Sequence, residues 1–192
     1  MSIEFYNVNS EVFISNTVRA DMSKLYEKFE KHLKKKAVIL DLGCGSGRDT
    51  RHFISKGYDV VSVDGSEKMV EYCKEHSTNE IYCSTFETFS SPMKFDAIWA
   101  CASLLHVKRE NIVKIISKYI DMLKNNGIFF MSFKLRKSDY SKDGRTFTCF
   151  TKDELIELIS INYTVNLLDV IESTDVRENR DNEDWISVVI EV

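Results

Sequence analysis

The sequence has no stretch approaching the 18 uninterrupted apolar residues that a membrane span needs. Its start, Met-Ser-Ile-Glu-Phe-Tyr, lacks the basic-then-apolar pattern of a secretory leader, so a cytoplasmic location is expected. The five cysteines, Cys44, Cys73, Cys83, Cys101 and Cys149, are odd in number, widely spaced and without a CxxC pair, which argues against a disulfide framework and for a reduced compartment. The four histidines, His32, His52, His76 and His106, form neither an HExxH nor a Cys/His cluster, and no calcium-loop spacing occurs; no metal is expected. There is little charge bias, with 26 Lys plus Arg against 30 Asp plus Glu and a net charge of -4, so nucleic acid is an unlikely partner. Internal repeats are absent apart from an alternation of elements, and Pro92 is the only proline. With 192 residues there is material for one sizeable core, and a single domain is expected.

What is present is a regular change of hydrophobic period. Met22, Leu25, Tyr26, Phe29 and Leu33 recur at helical spacing and end in Lys34, Lys35 and Lys36. Ala37 to Leu42 then reads as a strand buried on both faces, Gly47 to Ser55 as a helix, Tyr58 to Val63 as a strand and Ser66 to His76 as a helix. A short strand at Glu80 to Cys83 precedes a strand at Phe95 to Cys101, a helix over Lys108 to Leu123 and a strand at Ile128 to Phe133. Lys134 to Phe150 reads as a polar loop, Thr151 to about Ser160 as a helix, and Thr164 to Ile171 and Trp185 to Val192 as two antiparallel strands. This order predicts an α/β fold with an open, mostly parallel sheet and helices on both faces.

The sharpest motif is Asp41-Leu42-Gly43-Cys44-Gly45-Ser46-Gly47 at the end of the first strand. Alternating glycines allow a tight turn and a close ligand approach at the edge of the sheet where such folds bind ligands. A dinucleotide fingerprint starting at Gly43 needs glycine at position 48, where the chain has Arg48, and Asp41 offers an acceptor for a cationic amine. Asp64, at the end of the second strand, is placed to take both hydroxyls of a ribose.

The stretch Asp41 to Asp49 resembles the first motif of class I S-adenosylmethionine-dependent methyltransferases, and Val63 to Met69 resembles their second. The resemblance implies a Rossmann-like seven-stranded sheet of order 3-2-1-4-5-7-6 with the last strand antiparallel. It also implies S-adenosyl-L-methionine as cofactor and S-adenosyl-L-homocysteine as product. Gly43, Cys44 and Gly45 would face the methionine part, Asp41 its amino group, and Asp64 with Gly65 the ribose. Met69, Thr85 and Phe86 would meet the adenine, and Cys101 the sulfonium. One methyltransferase domain would then span 1–192: an N-terminal helical segment over the cofactor side (1–36), a donor-binding core (37–135), and an acceptor-side lid, helix and hairpin (136–192).

The acceptor side gives fewer handles, because methyl transfer from a sulfonium depends mostly on positioning. After the fourth strand stands Ala100 to His106, without the Asn/Asp-Pro-Pro of methylases that act on the exocyclic amines of bases. Trp99 to Val107, Ser132 to Lys134 and Asp143 to Phe147 resemble small bacterial methyltransferases related to tellurite-resistance enzymes. His106 is a candidate base or loop anchor. Lys134, Arg136, Arg145, Arg177 and Arg180 are candidates for binding an anionic small-molecule acceptor, although acidic residues are interspersed among them. The competing readings are a nicotinamide-dependent oxidoreductase, and a non-catalytic nucleoside-binding module that recruits a partner.

Overall fold

The apolar run Val38–Leu42 forms β1 at the middle of the sheet, and its side chains alternate between two cores. Leu40 and Leu42 enter one core and Ile39 the other. The computed structural model describes residues 2–177 and 183–192. Before β1 come α1 (Ser2–Val8), α2 (Ser10–Thr17) and α3 (Ser23–Glu30); after it come α4 (Arg48–Ser55), β2 (Asp59–Asp64), α5 (Glu67–His76), β3 (Glu80–Cys83) and β4 (Phe95–Ala100). A single 3₁₀ turn at Leu104–His106 leads to α6 (Arg109–Ile120), β5 (Leu123–Leu135), β6 (Tyr140–Lys142), β7 (Arg145–Phe147) and β8 (Cys149–Phe150). The described chain ends with α7 (Lys152–Asn162), β9 (Asn166–Thr174) and β10 (Asp184–Glu191).

The main sheet runs β3-β2-β1-β4-β5-β10-β9, with β1 to β5 parallel and β10 antiparallel to both of its neighbours. This is the expected order 3-2-1-4-5-7-6. A two-residue addition, β8, pairs with Lys134 and Leu135 beyond the last β4 pair at Met131. One core lies under α6 and α7 and contains Phe129, Met131 and Phe133 of β5. The other lies under α3 and α4, where Trp99 stacks on Phe130 with centroids 3.9 Å apart and Phe29 and Phe53 close around it. Among the described residues no helix is long and apolar enough to cross a membrane, and all five cysteines are free thiols.

Two boundaries differ from the sequence reading. The helix expected through Leu123 ends at Ile120, and Leu123 is already paired with Phe95 in β5. The apolar period hides this break because Leu123 is buried in either state. Asn126, at φ 60°, and Gly127 lie inside the strand as an irregularity where the β4 register shifts. The segment Lys134 to Phe150 is not a loop throughout: β6 and β7 form a hairpin closed by Asp143 and Gly144, at φ 51° and 73°. Positive φ at both central residues is what an Asp-Gly turn supplies.

Candidate functional site

Along the C-terminal edge of the parallel strands opens a cavity of about 1350 Å³. A cavity holding one drug-sized molecule is about 300–1,000 Å³, so this one has room for two partners side by side. One half is built on the glycine loop. Gly43, Gly45 and Gly47 take φ of 82°, 51° and 69°, left-handed values that favour glycine. The N–H groups of Gly43 and Cys44 donate to the Val63 carbonyl at 2.7 and 3.0 Å, tying the loop to the end of β2.

Asp64 completes that link. Its Oδ2 accepts the Gly45 N–H and its Oδ1 the Ser66 N–H, each at 2.8 Å, while Ser66 caps α5. Burial raises the Asp64 carboxyl above the usual range, against the opposing pull of backbone N–H groups from Ser66, Gly45 and Gly65. Those three donors leave one of its about four lone-pair positions for a ligand hydroxyl. Cys44, Gly65, Met69, Thr85, Phe86 and Cys101 stand on the same wall. The Cys44 thiol is pushed well up by its contact with Cys73 and by burial, and the Cys101 thiol to about 12 by burial and the charge of Asp49, which disfavours the thiolate in both.

Asp41 is placed differently from the other predicted donor residues. Its side chain does not line the cavity but sits behind the loop, accepting a hydrogen bond from Thr50, and burial next to Asp49 raises its carboxyl well above the ordinary value. Asp49, by contrast, lines the cavity, and its oxygens take the Arg48 Nε at 2.6 Å, the Trp99 Nε1 at 2.8 Å and the Tyr26 hydroxyl. Burial works against the Asp49 charge, but Arg48 outweighs it and the carboxyl is lowered. Nothing local in the sequence distinguishes the two acids; their roles follow from which one meets Arg48 and Trp99 in the folded chain.

Helices α1 and α2 cover this half. A β-carbon on Gly65 would lie 2.8 Å from Ile3, and one on Gly45 would have only Phe13, at 3.6 Å, nearby. Asn7 accepts from Ser66 Oγ at 2.7 Å, and Tyr6 reaches His106.

The second half lies between α1, the 3₁₀ turn, the β6–β7 hairpin and the β9–β10 end. His106 lines it with both nitrogens engaged: Nδ1 is 2.8 Å from the Thr146 carbonyl and Nε2 is 2.7 Å from the Tyr6 hydroxyl. It therefore anchors the hairpin and α1. Burial lowers its pKa to about 4, helped by Arg145 and opposed by the Thr146 carbonyl; Tyr6, from α1, also faces it. A depressed histidine takes up its proton in the unfolded chain first, so stability should fall with pH from 6.5 toward 4. The expected loss by about pH 5 is on the order of 2 kcal/mol. Urea unfolding at about pH 7 and about pH 5 checks this, because a His106→Gln variant should lose that much less between the two; equal slopes would contradict it.

The candidate acceptor-binding cations are mostly engaged within the protein. Lys134 is buried between Glu183 and Asp175, with its ammonium 4.0 Å from the Trp185 ring centroid. Arg177 grips Asp175 through Nε at 2.8 Å and through Nη2. These two cations and two carboxylates cancel. Arg136 is off the cavity wall, with its guanidinium 4.9 Å from the Tyr140 centroid. Arg145 is on the wall, 3.7 Å from the Phe5 centroid and 3.3 Å from Asp143. Arg180 lies outside the described residues. Sequence reasoning paired none of these charges, although Asp175 lies two residues from Arg177 and Asp143 two from Arg145; only the partners of Lys134 come from a distant part of the chain.

Comparison with known proteins bears on this geometry. Residues 39–127 match a family described as a methyltransferase domain, and they contain the glycine loop, Asp64 and the 3₁₀ turn. Over that stretch, a little under half of the chain, it is similar to methyltransferase domains. Over 115 residues it is 30% identical to a ubiquinone biosynthesis O-methyltransferase of Rickettsia canadensis, covering 56% of this chain and 48% of that protein. It spans about half the length of the curated relatives it matches.

Two solved structures share this fold over 99% of the chain. One is a 1,6-didemethyltoxoflavin-N1-methyltransferase of Burkholderia thailandensis with bound 1,6-didemethyltoxoflavin and S-adenosylhomocysteine, at TM-score 0.78, 20% identity and 84% of that chain. The other is the [4+2]-cyclase SpnF, at TM-score 0.78, 15% identity and 95% of that chain. At these identities the likeness is one of fold.

Proposed function

We propose that this chain transfers the methyl group of S-adenosylmethionine to a small-molecule acceptor. The observation that carries this reading is the Gly45 N–H to Asp64 hydrogen bond, which joins the glycine loop and the second-strand acid on one wall of a cavity large enough for two molecules. The residues present fit the donor: Gly45 leaves open the volume that a β-carbon would fill, and Asp64 keeps acceptor capacity for a ribose hydroxyl. Gly43, Cys44 and Gly45 would meet its methionine part, Met69, Thr85 and Phe86 its adenine, and Cys101 its sulfur. When bound, the donor supplies an already activated methyl group. The protein's task is to align the acceptor and keep water out.

The ion-paired state of Lys134 and Arg177 favours an acceptor with little net charge over a strongly anionic one. A nicotinamide-dependent oxidoreductase is less well supported: the third glycine of its fingerprint is replaced by Arg48, whose guanidinium is held on Asp49. Calorimetric titration with S-adenosylhomocysteine, followed by transfer of labelled methyl from the donor into small-molecule pools, tests the reading. Folded protein that binds no S-adenosylhomocysteine would overturn it. Binding without transfer to any pool would favour a non-catalytic nucleoside-binding role, or chemistry other than transfer as the cyclase neighbour's name indicates.

Asp64→Ala should lower S-adenosylhomocysteine affinity about 30-fold, a loss of roughly 2 kcal/mol, since charge-assisted hydrogen bonds contribute about 1.5–3 kcal/mol each. Because Asp64 also holds the Gly45 and Ser66 N–H groups, the thermal midpoint of the unliganded protein should fall by a few degrees as well. A drop in stability with affinity changed less than about threefold would leave Asp64 a loop anchor and take it out of the ribose role.

A further inference from the structure

Hydrogen-bond logic fixes the protons at the second half of the cavity. The Thr146 carbonyl can only accept, so His106 Nδ1, 2.8 Å away, carries the imidazole proton. In the neutral ring Nε2 is then bare, and the Tyr6 hydroxyl, 2.7 Å away, must donate to it. With its one proton engaged, the Tyr6 phenol oxygen has only lone pairs to offer the cavity that Tyr6 lines. The Arg145 guanidinium donates to that oxygen, taking part of its acceptor capacity, and partly offsets the effect of burial, which raises the phenol. A ligand reaching the remaining lone pair must bring a donor.

The surroundings narrow the ligand further. Tyr140 and Phe147 stack at 4.5 Å with an interplanar angle of 6°, and both line this half with Leu105 and Trp185. Next to them the charges of Lys134, Arg177, Asp175 and Glu183 cancel in one network. Beside the Tyr6 oxygen, fixed as an acceptor, this half of the cavity therefore has aromatic walls and no net charge from that network. Flat rings suit aromatic walls through offset or edge contacts.

We propose that Tyr6 is an acceptor-binding residue, and that the methyl acceptor is an aromatic or heteroaromatic ring whose O–H or ring N–H donates to the Tyr6 phenol oxygen. This rests on the methyl-transfer reading and gives its substrate class. His106 acts through Tyr6, as a positioning residue that keeps the phenol turned to accept.

Three nitroarenes test it by titration into protein loaded with S-adenosylhomocysteine: 4-nitrophenol in its neutral form brings an O–H, 4-nitropyrazole a ring N–H, and 4-nitroanisole no donor. At least one donor probe should bind tenfold or more tightly than 4-nitroanisole, a difference of about 1.4 kcal/mol. Which donor probe wins separates hydroxyl from ring-nitrogen acceptors. Tyr6→Phe should erase the advantage and leave S-adenosylhomocysteine affinity within about threefold. The proposal is overturned if 4-nitroanisole binds as well as both donors, if the advantage survives Tyr6→Phe, or if no probe binds.

Nitrogen NMR of the parent protein gives a second measurement that needs no variant. The proposal requires the Nδ1-protonated tautomer of His106, and an Nε2-protonated ring would overturn it. If S-adenosylhomocysteine fails to bind, the methyl-transfer reading falls by itself; the same titrations on unliganded protein, where the Tyr6–His106 pair is already formed, still decide the donor requirement.

Discussion

Gly45→Val is expected to reduce S-adenosylhomocysteine binding by at least about 100-fold, roughly 2.7 kcal/mol, while the sheet remains folded. In the unliganded protein the space next to Gly45 is open, since a β-carbon there would meet only the edge of Phe13 at 3.6 Å. A branched side chain would fill the volume a ligand needs to approach the loop backbone. The φ of 51° adds a second cost, because a β-branched residue in the left-handed region carries strain of about 1–3 kcal/mol.

The neighbouring glycines provide the control. A β-carbon on Gly43 would lie 2.3 Å from the Ser103 β-carbon, and Ser103 is held by its hydrogen bond to the Leu42 carbonyl at 2.6 Å. On Gly47 it would lie 2.5 Å from the Cys73 sulfur inside a buried cluster. Gly43→Ala and Gly47→Ala should therefore lower the thermal midpoint more than Gly45→Ala does, whereas Gly45→Ala should lower affinity out of proportion to stability. The paired measurement is calorimetry with S-adenosylhomocysteine and thermal unfolding without it. Parent-like affinity in Gly45→Val would reduce the loop to a turn.

The sheet was legible because a strand buried on both faces shows itself as an apolar run, as in Val38–Leu42 and Ile128–Phe133. A helix shows itself by spacing, as in α6. The glycine loop and Asp64 stood out in the sequence for a related reason: both lie at fixed positions directly after strands. Boundaries failed where one residue satisfied two environments, as Leu123 does. The β6–β7 hairpin was missed although Asp143-Gly144 is a turn signal, because its short strands are too polar to show a period.

The acceptor half was hardly legible at all. Tyr6 and His106 are a hundred residues apart, and Lys134 and Glu183 nearly fifty. Pairings of that kind are made by the topology, which brings α1 and the β9–β10 end against the same sheet edge. A sequence shows the cations of such a site without showing the carboxylates that neutralise them.

That neutralisation gives the other large expected effect. Asp175→Asn should destabilise the protein by about 2–3 kcal/mol near neutral pH. Asp175 is buried, and its carboxylate accepts from Arg177, from Trp185 Nε1 at 3.2 Å and faces the Lys134 ammonium at 3.6 Å. Burial alone would raise its pKa, but Arg177 and Lys134 outweigh it and hold the group at about 2, against 3.8 for a free carboxyl. That difference corresponds to about 2.5 kcal/mol, consistent with the cost of leaving partly buried cations short of a partner. The sign follows from the depressed value: the stabilisation is complete above about pH 4 and is lost as pH falls through about 2. Urea unfolding at neutral pH should show the gap between parent and variant, and a difference under about 0.5 kcal/mol would contradict it. The same substitution should change what the cavity attracts. With one of two carboxylates neutral, Lys134 and Arg177 leave a net positive charge on the wall, so sulfate should raise the thermal midpoint of Asp175→Asn and not that of the parent. An equal response in both proteins would mean that the parent network is already cationic, and the preference for a weakly charged acceptor would go with it.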